Sequence, residues 1–398
     1  MEEVLPLGVV VVVIKHLNQF FLSVFILLIN MQSSLAEMIA KGSTRVKTVF
    51  NIYHQNSNDG KQVFDNSGRE EANVIEPMIF VEHQITEDTA ITGHFVFDFW
   101  TAASDTKVDG STGASGAGRG TQTRVSGSLG FKREVGKLSY SSAFGFSSEY
   151  DYKSLNGSFN IARSFAKDNF TLGFGAQYYA DKVNLFQDLT PAAHARISDD
   201  LPRKIIALSL TGSQILTAKD IIQFSATYVQ AKENLESTAS SVLISGVRES
   251  EQLPKARKRY AFSTHWVHGP GESTALHTSY RYYFDQWKLK AHTLRIGHAW
   301  EINDEEDILE LFARYHSQSK VEYFKAEFVA TEEFMTSDSD LAKFSSYEGG
   351  IYYSQSLADK DYFGLNFSDV RWDNSLVYST RTNGLRFAYW QTSLGFEF

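Results

Sequence analysis

Titratable side chains recur at alternate positions in several segments of this sequence. His94 and Asp98 are four residues apart, as are Arg281 and Asp285, and even spacing puts strand residues on one face. Around a water-filled passage such groups would set ion or solute preference, whereas pairing across neighbouring strands would hold a closed wall together. The spacing leaves both interpretations open. The candidate lining residues are His94, Asp98, Asp181, Arg281, Asp285, Glu310, Arg314 and His316.

Composition and spacing exclude several other kinds of site. The chain has no cysteine, which excludes a disulfide framework, a thiolate metal site and a cysteine nucleophile. The net charge of -9 argues against a nucleic-acid partner. No two histidines are four residues apart, and the glycine-rich stretch Gly113–Gly120 lacks the Lys-Ser/Thr ending of a phosphate loop. We therefore expect no metal, no cofactor and no nucleic acid.

The elements that carry the candidate residues are predicted to be strands with one apolar and one polar face. Phe95, Phe97 and Phe99 alternate with His94 and Asp98, the period-2 pattern of a strand between oil and water. Similar segments recur along the chain from Ser43 onward. Few soluble sandwiches place so many ionisable groups on an inward face, so we expect the inside to be wet.

The chain is 14% aromatic, yet its mean hydropathy is -0.26. After the amino-terminal region, no window approaches the ~18 uninterrupted apolar residues of a membrane-spanning helix. A closed barrel is the other structure that satisfies every backbone polar group in lipid. The expected fold is all-β, a transmembrane antiparallel up-and-down β-barrel of about 16 strands with short periplasmic turns and long extracellular loops.

Sixteen strands are predicted, which places both termini on the periplasmic side. They are Ser43–His54, Asn73–Ile85, Thr89–Trp100, Gln122–Arg133, Lys137–Tyr150, Ser154–Ser164, Asn169–Asp181, Arg203–Ile215, Asp220–Lys232, Arg257–His268, Ser273–Asp285, Lys290–Ile302, Asp307–Gln318, Ala342–Ser356, Lys360–Ser368 and Gly384–Phe398. Six long outward loops are predicted between them: Gln55–Ala72, Thr101–Thr121, Lys182–Pro202, Glu233–Ala256, Lys320–Leu341 and Asp369–Asn383.

The two ends of the chain carry export signals in this interpretation. The closing strand Arg386–Phe398 would present Trp390, Leu394, Phe396 and Phe398 to lipid and to the barrel assembly machinery, with Gln391, Ser393 and Glu397 facing the lumen. Residues 1–36 read as a signal peptide cleaved after Ala36, with an upstream extension, and residues 37–398 as one barrel domain. The alternative is an uncleaved anchor helix, Val4–Ile29, which would hold Lys15 and His16 near its centre.

Five motifs occur in a fixed order. They are Asp98–Ser115, Ser147–Tyr152, Leu201–Ile205, Ser279–Trp287 with His292-Thr293, and Arg314–Gln318 with Tyr323-Phe324. Together they resemble the DUF3570 family of Gram-negative bacterial proteins, from about Asp98 to the carboxy-terminus. The chain departs from the family after Asp98, where a shorter link is expected. The resemblance implies an outer-membrane barrel and no assigned activity.

Catalysis is the less favoured class of function. An outer-membrane hydrolase would need an activated Ser–His pair. Ser263 with His265 and His268, or His292 with Thr293, supply the residue types, but no Gly-x-Ser-x-Gly elbow occurs. The basic cluster Lys255–Arg259 could touch lipopolysaccharide phosphates, but a solvated strand start is the simpler interpretation.

The favoured function is a porin-like channel for passive passage of small hydrophilic solutes. The alternative is a plugged barrel that acts as a scaffold or surface-interaction protein through its extracellular loops. A third interpretation is a barrel that encloses a periplasmic partner such as a redox carrier. The partners expected are outer-membrane lipid and lipopolysaccharide, the assembly machinery and small solutes, and the oligomeric state is left open.

Overall fold

The computed structural model describes residues 38–57, 71–102, 122–190, 193–236, 241–303, 307–362 and 365–398. The predicted signal peptide, the glycine-rich stretch Gly113–Gly120 and most of the predicted loops Gln55–Ala72 and Thr101–Thr121 lie outside these residues. Within them, no helix is long and apolar enough to cross a membrane.

The described chain consists of strands and one 3₁₀ turn, Ser339–Leu341. The strands are β1 Thr44–Ser57, β2 Glu71–Thr86, β3 Thr89–Ala102, β4 Gln122–Val135, β5 Leu138–Ser148, β6 Tyr152–Phe165, β7 Phe170–Thr190, β8 Ala193–Thr217, β9 Asp220–Glu233, β10 Ser241–Ile244, β11 Val247–Ser250, β12 Ala256–Gly271, β13 Thr274–Asp285, β14 Lys290–Ile302, β15 Asp307–Gln318, β16 Phe344–Leu357, β17 Lys360–Tyr362, β18 Leu365–Arg381 and β19 Leu385–Glu397.

Sixteen of these strands form one closed antiparallel barrel, as predicted. Each pairs with the next around the wall, and β19 pairs with β1 to close it. The remaining three are accessory: β10 and β11 form a separate hairpin, and β17 pairs only with the start of β18. Closure leaves no unpaired sheet edge, which is what the interior of a lipid bilayer requires.

The wall has an apolar outside and a polar inside. On β3 the outward side chains Phe95, Phe97 and Phe99 are exposed, and Asp98 between them is buried. The registers of successive strand pairs match inward residues to inward residues around the barrel; Asp98, for example, lies opposite Arg124 of β4. This alternation is the lipid-out, lumen-in pattern expected of a transmembrane barrel.

The two rims differ, and we name them by their connections. The turn rim holds the short turns such as Glu87–Asp88 and the outer ends of β1 and β19, and the loop rim holds the long connections after β1, β3, β9 and β15. Both described ends of the barrel sequence therefore lie at the turn rim.

The predicted loop Lys182–Pro202 is wrong, because most of it is strand. β7 and β8 continue past the rim and pair as far as Thr190 and Ala193, with register shifts near Val183 and Leu185. The part of the β7–β8 hairpin that extends beyond the lipid needs no apolar face. Each register shift also interrupts the alternation of apolar and polar residues along the strand. Both effects remove the alternation on which the sequence prediction depended.

The predicted strand Lys360–Ser368 overlaps two strands but is not itself a strand of the wall, and the predicted loop Asp369–Asn383 is wrong. The fifteenth barrel strand is β18, which runs through most of the supposed loop, and β18 joins β19 through a tight turn at residues 382–384. The polar inward residues of β18 gave the segment the composition of a loop. Asp373, for instance, accepts hydrogen bonds from Lys47, Ser354 and Ser393.

Candidate functional site

All eight candidate lining residues lie on the inner face of the barrel. The register pairs Asp98 with Arg124, Asp181 with Arg203, and Arg281 with Thr293. Phe80 stacks on His94 with the ring centres 4.4 Å apart. His316 is within hydrogen-bond distance of Thr293, 2.8 Å between Nδ1 and Oγ1. Both histidines are thus tied to the wall.

Six arginines on neighbouring strands form one side of the lumen, in the half nearer the loop rim. This arginine wall consists of Arg203, Arg257, Arg259, Arg281, Arg295 and Arg314. Sequence reasoning named only Arg281 and Arg314. The alternation along each strand would have identified the others, because each arginine is an even number of residues away from the other residues of its strand's polar face.

Three of these arginines are paired with carboxylates. Arg257 donates to Asp285 through Nε at 2.8 Å and Nη2 at 2.5 Å, and Arg295 donates to Glu310 at 2.8 Å. Arg314 lies 3.3 Å from Glu348. Arg257 and Arg295 also stack over aromatic rings, each with its guanidinium carbon 4.2 Å from the ring centre. These paired arginines therefore belong to the structure of the wall.

Two other arginines keep free donors. Within the described part of the chain, neither Arg259 nor Arg281 forms an ion pair or a hydrogen bond. Arg259 lies opposite Asp285 in the register, but Arg257 already occupies that carboxylate. Both arginines are partly exposed. A guanidinium without a partner needs water or an anion around it, so Arg259 and Arg281 are the candidates for contact with a solute in the lumen.

Four acidic side chains lie along the wall from β2 to β7, and the last of them, Asp181, lies opposite Arg203 of the arginine wall. This acidic wall consists of Glu76, Asp98, Glu149 and Asp181. Arg124 forms ion pairs with Asp98 and, at 3.6 Å, with Glu76. Burial beside Asp151 raises the pKa of Glu149, which lies in the turn between β5 and β6, to about 8. At neutral pH the Glu149 carboxyl is therefore mostly protonated, so the acidic wall carries less charge than its number of carboxyl groups suggests.

A folded cap lies at the loop rim on the side of the arginine wall. We define the cap as residues 241–255, which include the β10–β11 hairpin, and residues 319–343. Backbone bridges join Ile244 to Phe328 and Gln252 to Met335. Val242, Phe328 and Met335 form a small buried core between the two segments. The cap thus has tertiary structure of its own.

The cap is anchored on the inner surface of the barrel. Its residues Leu253 and Val321 are buried in a cluster with Trp287, Leu289 and Ala291, and Tyr283 packs against the same cluster. Ala291 and Tyr283 point inward from β14 and β13. The cap therefore enters the lumen mouth on this side instead of standing clear of it.

The predicted assembly-signal residues lie at the barrel seam. Trp390 and Leu394 are exposed on the outer face. Phe396 and Phe398 pack on Phe367 with ring centres 5.2 and 5.7 Å apart. On the inner face, Ser393 donates to Asp373 and Glu397 pairs with Arg45. The predicted role of these residues in assembly stays a prediction.

The serine, threonine and histidine side chains considered for a hydrolase do not come together at one site. Ser263 and His265 face the lumen, whereas His268 faces outward and contacts Asp220 at 2.8 Å. His292 is also outward and contacts the Tyr280 hydroxyl at 2.7 Å. Among the described residues, no group of three His, Cys, Asp or Glu side chains is placed to hold a metal ion.

A closed wall with an apolar outside and a charged lumen defines an outer-membrane β-barrel. The family described as "Protein of unknown function (DUF3570)" matches residues 112–373, more than half of the chain, and the chain belongs to this family. No curated protein matches the sequence.

Several solved outer-membrane proteins are similar to this chain at very low sequence identity. A bacterial polysaccharide outer membrane secretin is 7% identical with a TM-score of 0.50, over 90% of this chain and 100% of that one. A BenF-like porin from Pseudomonas fluorescens Pf-5 is 9% identical with a TM-score of 0.43, over 89% and 98%. The outer membrane protein opdK from Pseudomonas aeruginosa is 7% identical with a TM-score of 0.42, over 89% and 98%.

Proposed function

We propose that this protein is a porin-like channel for the passive passage of small hydrophilic solutes across the outer membrane. The observation that carries the proposal is the pair Arg259 and Arg281, whose guanidinium groups project into the lumen without a carboxylate partner among the described residues. A wall built only for support would gain nothing from leaving such charges unpaired. In a water-filled passage they act on passing solutes.

The test is conductance across a planar bilayer. Purified protein is expected to give discrete current steps in potassium chloride. If repeated insertions give no steps, while heat-shifted electrophoretic mobility shows that the barrel is folded, the channel proposal fails.

A plugged barrel is the second candidate, and the packing of the cap into the mouth favours it. Val321 has no exposed surface in the cluster that anchors the cap, whereas Val329 on the same loop is 89% exposed. Val321→Glu should release the cap because a carboxylate is strongly disfavoured in an apolar cluster. Val329→Glu is the matched control, because it makes the same substitution at a solvent-exposed residue of the same loop.

The two candidates give different current records. In an open channel the wild-type protein conducts and Val321→Glu changes the step size or its fluctuations only moderately. In a plugged barrel the wild type is silent and Val321→Glu opens it. The control variant is expected to behave like the wild type in either case.

We also propose that the loop rim faces the exterior and that both termini lie in the periplasm. The support is the length of the connections, since outer-membrane barrels have short periplasmic turns and longer outer loops. Because the chain has no cysteine, single cysteines can report the orientation. Val329→Cys should react with an impermeant maleimide in intact cells, and Lys167→Cys at the turn rim should not; the reverse pattern would contradict this orientation.

A further inference from the structure

Six exposed lysines stand on the outer face of the barrel, at the loop-rim ends of neighbouring strands. This lysine belt consists of Lys153, Lys182, Lys204, Lys232, Lys258 and Lys290. In each strand the adjacent residue faces the lumen, as Arg257 does beside Lys258 and Arg203 does beside Lys204. The belt covers β6 to β9, β12 and β14. At the same level on β15, β16 and β18 the outward residues are Ser317, Ser345 and Thr380.

The belt places like charges side by side. Lys153 lies directly opposite Lys182 in the register, and Lys204 lies directly opposite Lys232. Directly opposed like charges destabilise an antiparallel pair. One lysine of each pair has a carboxylate of the protein beside it, and the other, Lys153 or Lys232, forms no ion pair among the described residues.

The protein itself supplies few anions to this surface. Lys204 is 2.8 Å from Glu233, and Lys182 is 3.5 Å from Asp200. Within the described residues the other four belt lysines, Lys153, Lys232, Lys258 and Lys290, form no ion pair. The surface therefore carries an excess of positive charge.

The opposite rim is built differently. At the turn rim, two exposed basic groups have acidic neighbours: Arg133 is 3.1 Å from Asp88, and Lys137 is 2.9 Å from Asp168. These two turn-rim groups therefore have a counter-charge from the protein, whereas four of the six belt lysines have none among the described residues. The imbalance is a local property of the belt, since the chain as a whole carries a charge of -9.

The belt lies at the height of lipid headgroups. On the lipid side of it, Tyr228, Tyr260 and Phe284 form a row of rings, with centres 5.3 and 5.1 Å apart. Such aromatic girdles mark the membrane interface of barrels. Tyr260 is two residues from Lys258, about 7 Å along the strand. Lysine ammonium groups at this distance reach the headgroup layer while their methylene chains cover the wall.

We propose that the lysine belt binds the phosphate groups of lipopolysaccharide in the outer leaflet. A phosphate carries more than one negative charge and several acceptor oxygens, so one phosphate can bridge the two lysines of an opposed pair. This inference rests on the proposed orientation, in which the loop rim is outside. It concerns the outer surface of the barrel and makes no claim about the residues of the lumen.

The experiment measures binding of lipid A to the purified full-length protein in detergent. Two triple variants carry the same loss of charge. The belt variant replaces Lys153, Lys232 and Lys258 by Gln, and the control replaces the turn-rim residues Lys137, Lys167 and Lys219 by Gln. Heat-shifted electrophoretic mobility verifies that each barrel is folded.

The belt variant should bind bisphosphorylated lipid A at least about tenfold more weakly than the wild type, and the control should bind like the wild type. Removing the phosphates from lipid A should lower wild-type binding to the level of the belt variant. Equal binding by the belt variant and the wild type would overturn the proposal. So would inorganic phosphate bound as tightly as lipid A, because the lipid would then contribute nothing.

The outcome is separable from that of the channel proposal. Conductance is recorded for the same preparations in bilayers free of lipopolysaccharide. Current steps without phosphate-dependent lipid binding would remove only the lysine-belt inference. Lipid binding without current steps would remove only the channel.

Discussion

Asp285 joins the barrel wall to the base of the cap. Its side chain has no exposed surface, and it accepts hydrogen bonds from Arg257, from the Tyr283 hydroxyl at 2.8 Å and from the backbone N–H of Leu289 at 3.0 Å. Trp287 stacks on the Arg257 guanidinium above it. Buried charge pairs contribute little net stability, but removing one member leaves the other charge uncompensated.

We expect Asp285→Asn to lower the free energy of unfolding by about 3–5 kcal/mol, because Arg257 then keeps a buried charge without a counter-ion. Urea unfolding in detergent, followed by tryptophan fluorescence, measures the change. The control is Glu322→Gln, which breaks the exposed pair with Lys288, 2.5 Å apart; exposed pairs contribute little. Equal stability of Asp285→Asn and the control would show that the buried pair does not anchor the mouth.

Asp88, in the turn between β2 and β3, predicts a pH dependence of stability. Hydrogen bonds from the Thr86 and Thr89 hydroxyls, together with the Arg133 guanidinium, lower the pKa of Asp88 from 3.8 to about 2. A lowered pKa in the folded state stabilises the fold above the unfolded pKa and loses that effect as the pH falls through the folded pKa. The relevant window is therefore pH 4 to pH 2.

Wild-type protein should be more stable than Asp88→Asn at pH 5, and the difference should shrink as the pH falls toward 2. The measurement is the unfolding midpoint of both proteins at several pH values in that range. A difference that stays constant would assign the effect of the substitution to shape or packing, and the carboxylate charge would have no part in it.

The arginine wall shows which features follow from the alternation of residues along a strand and which do not. The alternation gives the face on which each side chain lies, but not its partner. The run Lys255–Arg259 was interpreted as a solvated strand start, but in a strand it divides: Arg257 and Arg259 face the lumen, and Lys258 faces outward. This alternation of inward and outward side chains could be read from the sequence. What could not be read is that Asp285 pairs with Arg257 and leaves Arg259 free, because that choice depends on side-chain geometry across two strands.

At the scale of strands, the contact between β15 and β16 depends on one glycine. Gly350 faces inward beneath the ring of Phe312, and a Cβ there would overlap that ring and lie 3.0 Å from Val377. Phe312 cannot easily move away, because the Arg295 guanidinium stacks on it. Gly349 faces outward, where a Cβ would meet its nearest atom at 3.9 Å.

Gly350→Ala should therefore destabilise the barrel by about 1–3 kcal/mol, the usual cost of overpacking. Gly349→Ala should be neutral or slightly stabilising, because the added methyl group has room and glycine is unfavourable within a strand. Thermal shift of the band of folded protein in electrophoresis compares the two. Similar losses in both variants would mean that the backbone, and not the contact with Phe312, requires glycine.

The number of strands could be predicted, but the position of one could not. Alternating short and long connections give an even count, and exchanging one segment for its neighbour leaves the count unchanged. That is how Lys360–Ser368 was predicted in place of β18 and the total still reached sixteen. Asp373, Ser375 and Ser379 suggest a loop by composition, and only their partners on other strands show them to be lumen wall.

At the scale of the whole molecule, the barrel closes through ion pairs on its inner face. Where β1 meets β19, Arg45 pairs with Glu397 at 2.5 Å, and Lys47 reaches past β19 to Asp373 of β18 at 2.7 Å. The closing strand is therefore held by backbone pairing, by outward apolar residues and by lumenal charge together. The residues predicted as an assembly signal lie on the lipid side of this same strand.

The unpaired arginines in the lumen predict ion selectivity. Because Arg259 and Arg281 are the arginines of the arginine wall that form neither an ion pair nor a hydrogen bond in the described part of the chain, they attract anions most strongly. We expect the wild-type channel to prefer chloride over potassium. Replacing both arginines by Gln should lower that preference, because only the paired charges and the acidic wall remain.

The measurement is the reversal potential in a gradient of potassium chloride. Lys258→Gln is a close control for Arg259, because it removes the same charge from the adjacent residue on the lipid side of the wall. It should leave the reversal potential unchanged if the lumen alone sets selectivity. An equal shift in Lys258→Gln and the double variant would mean that ions respond to the surface charge of the rim, and the lumenal arginines would lose their assigned role.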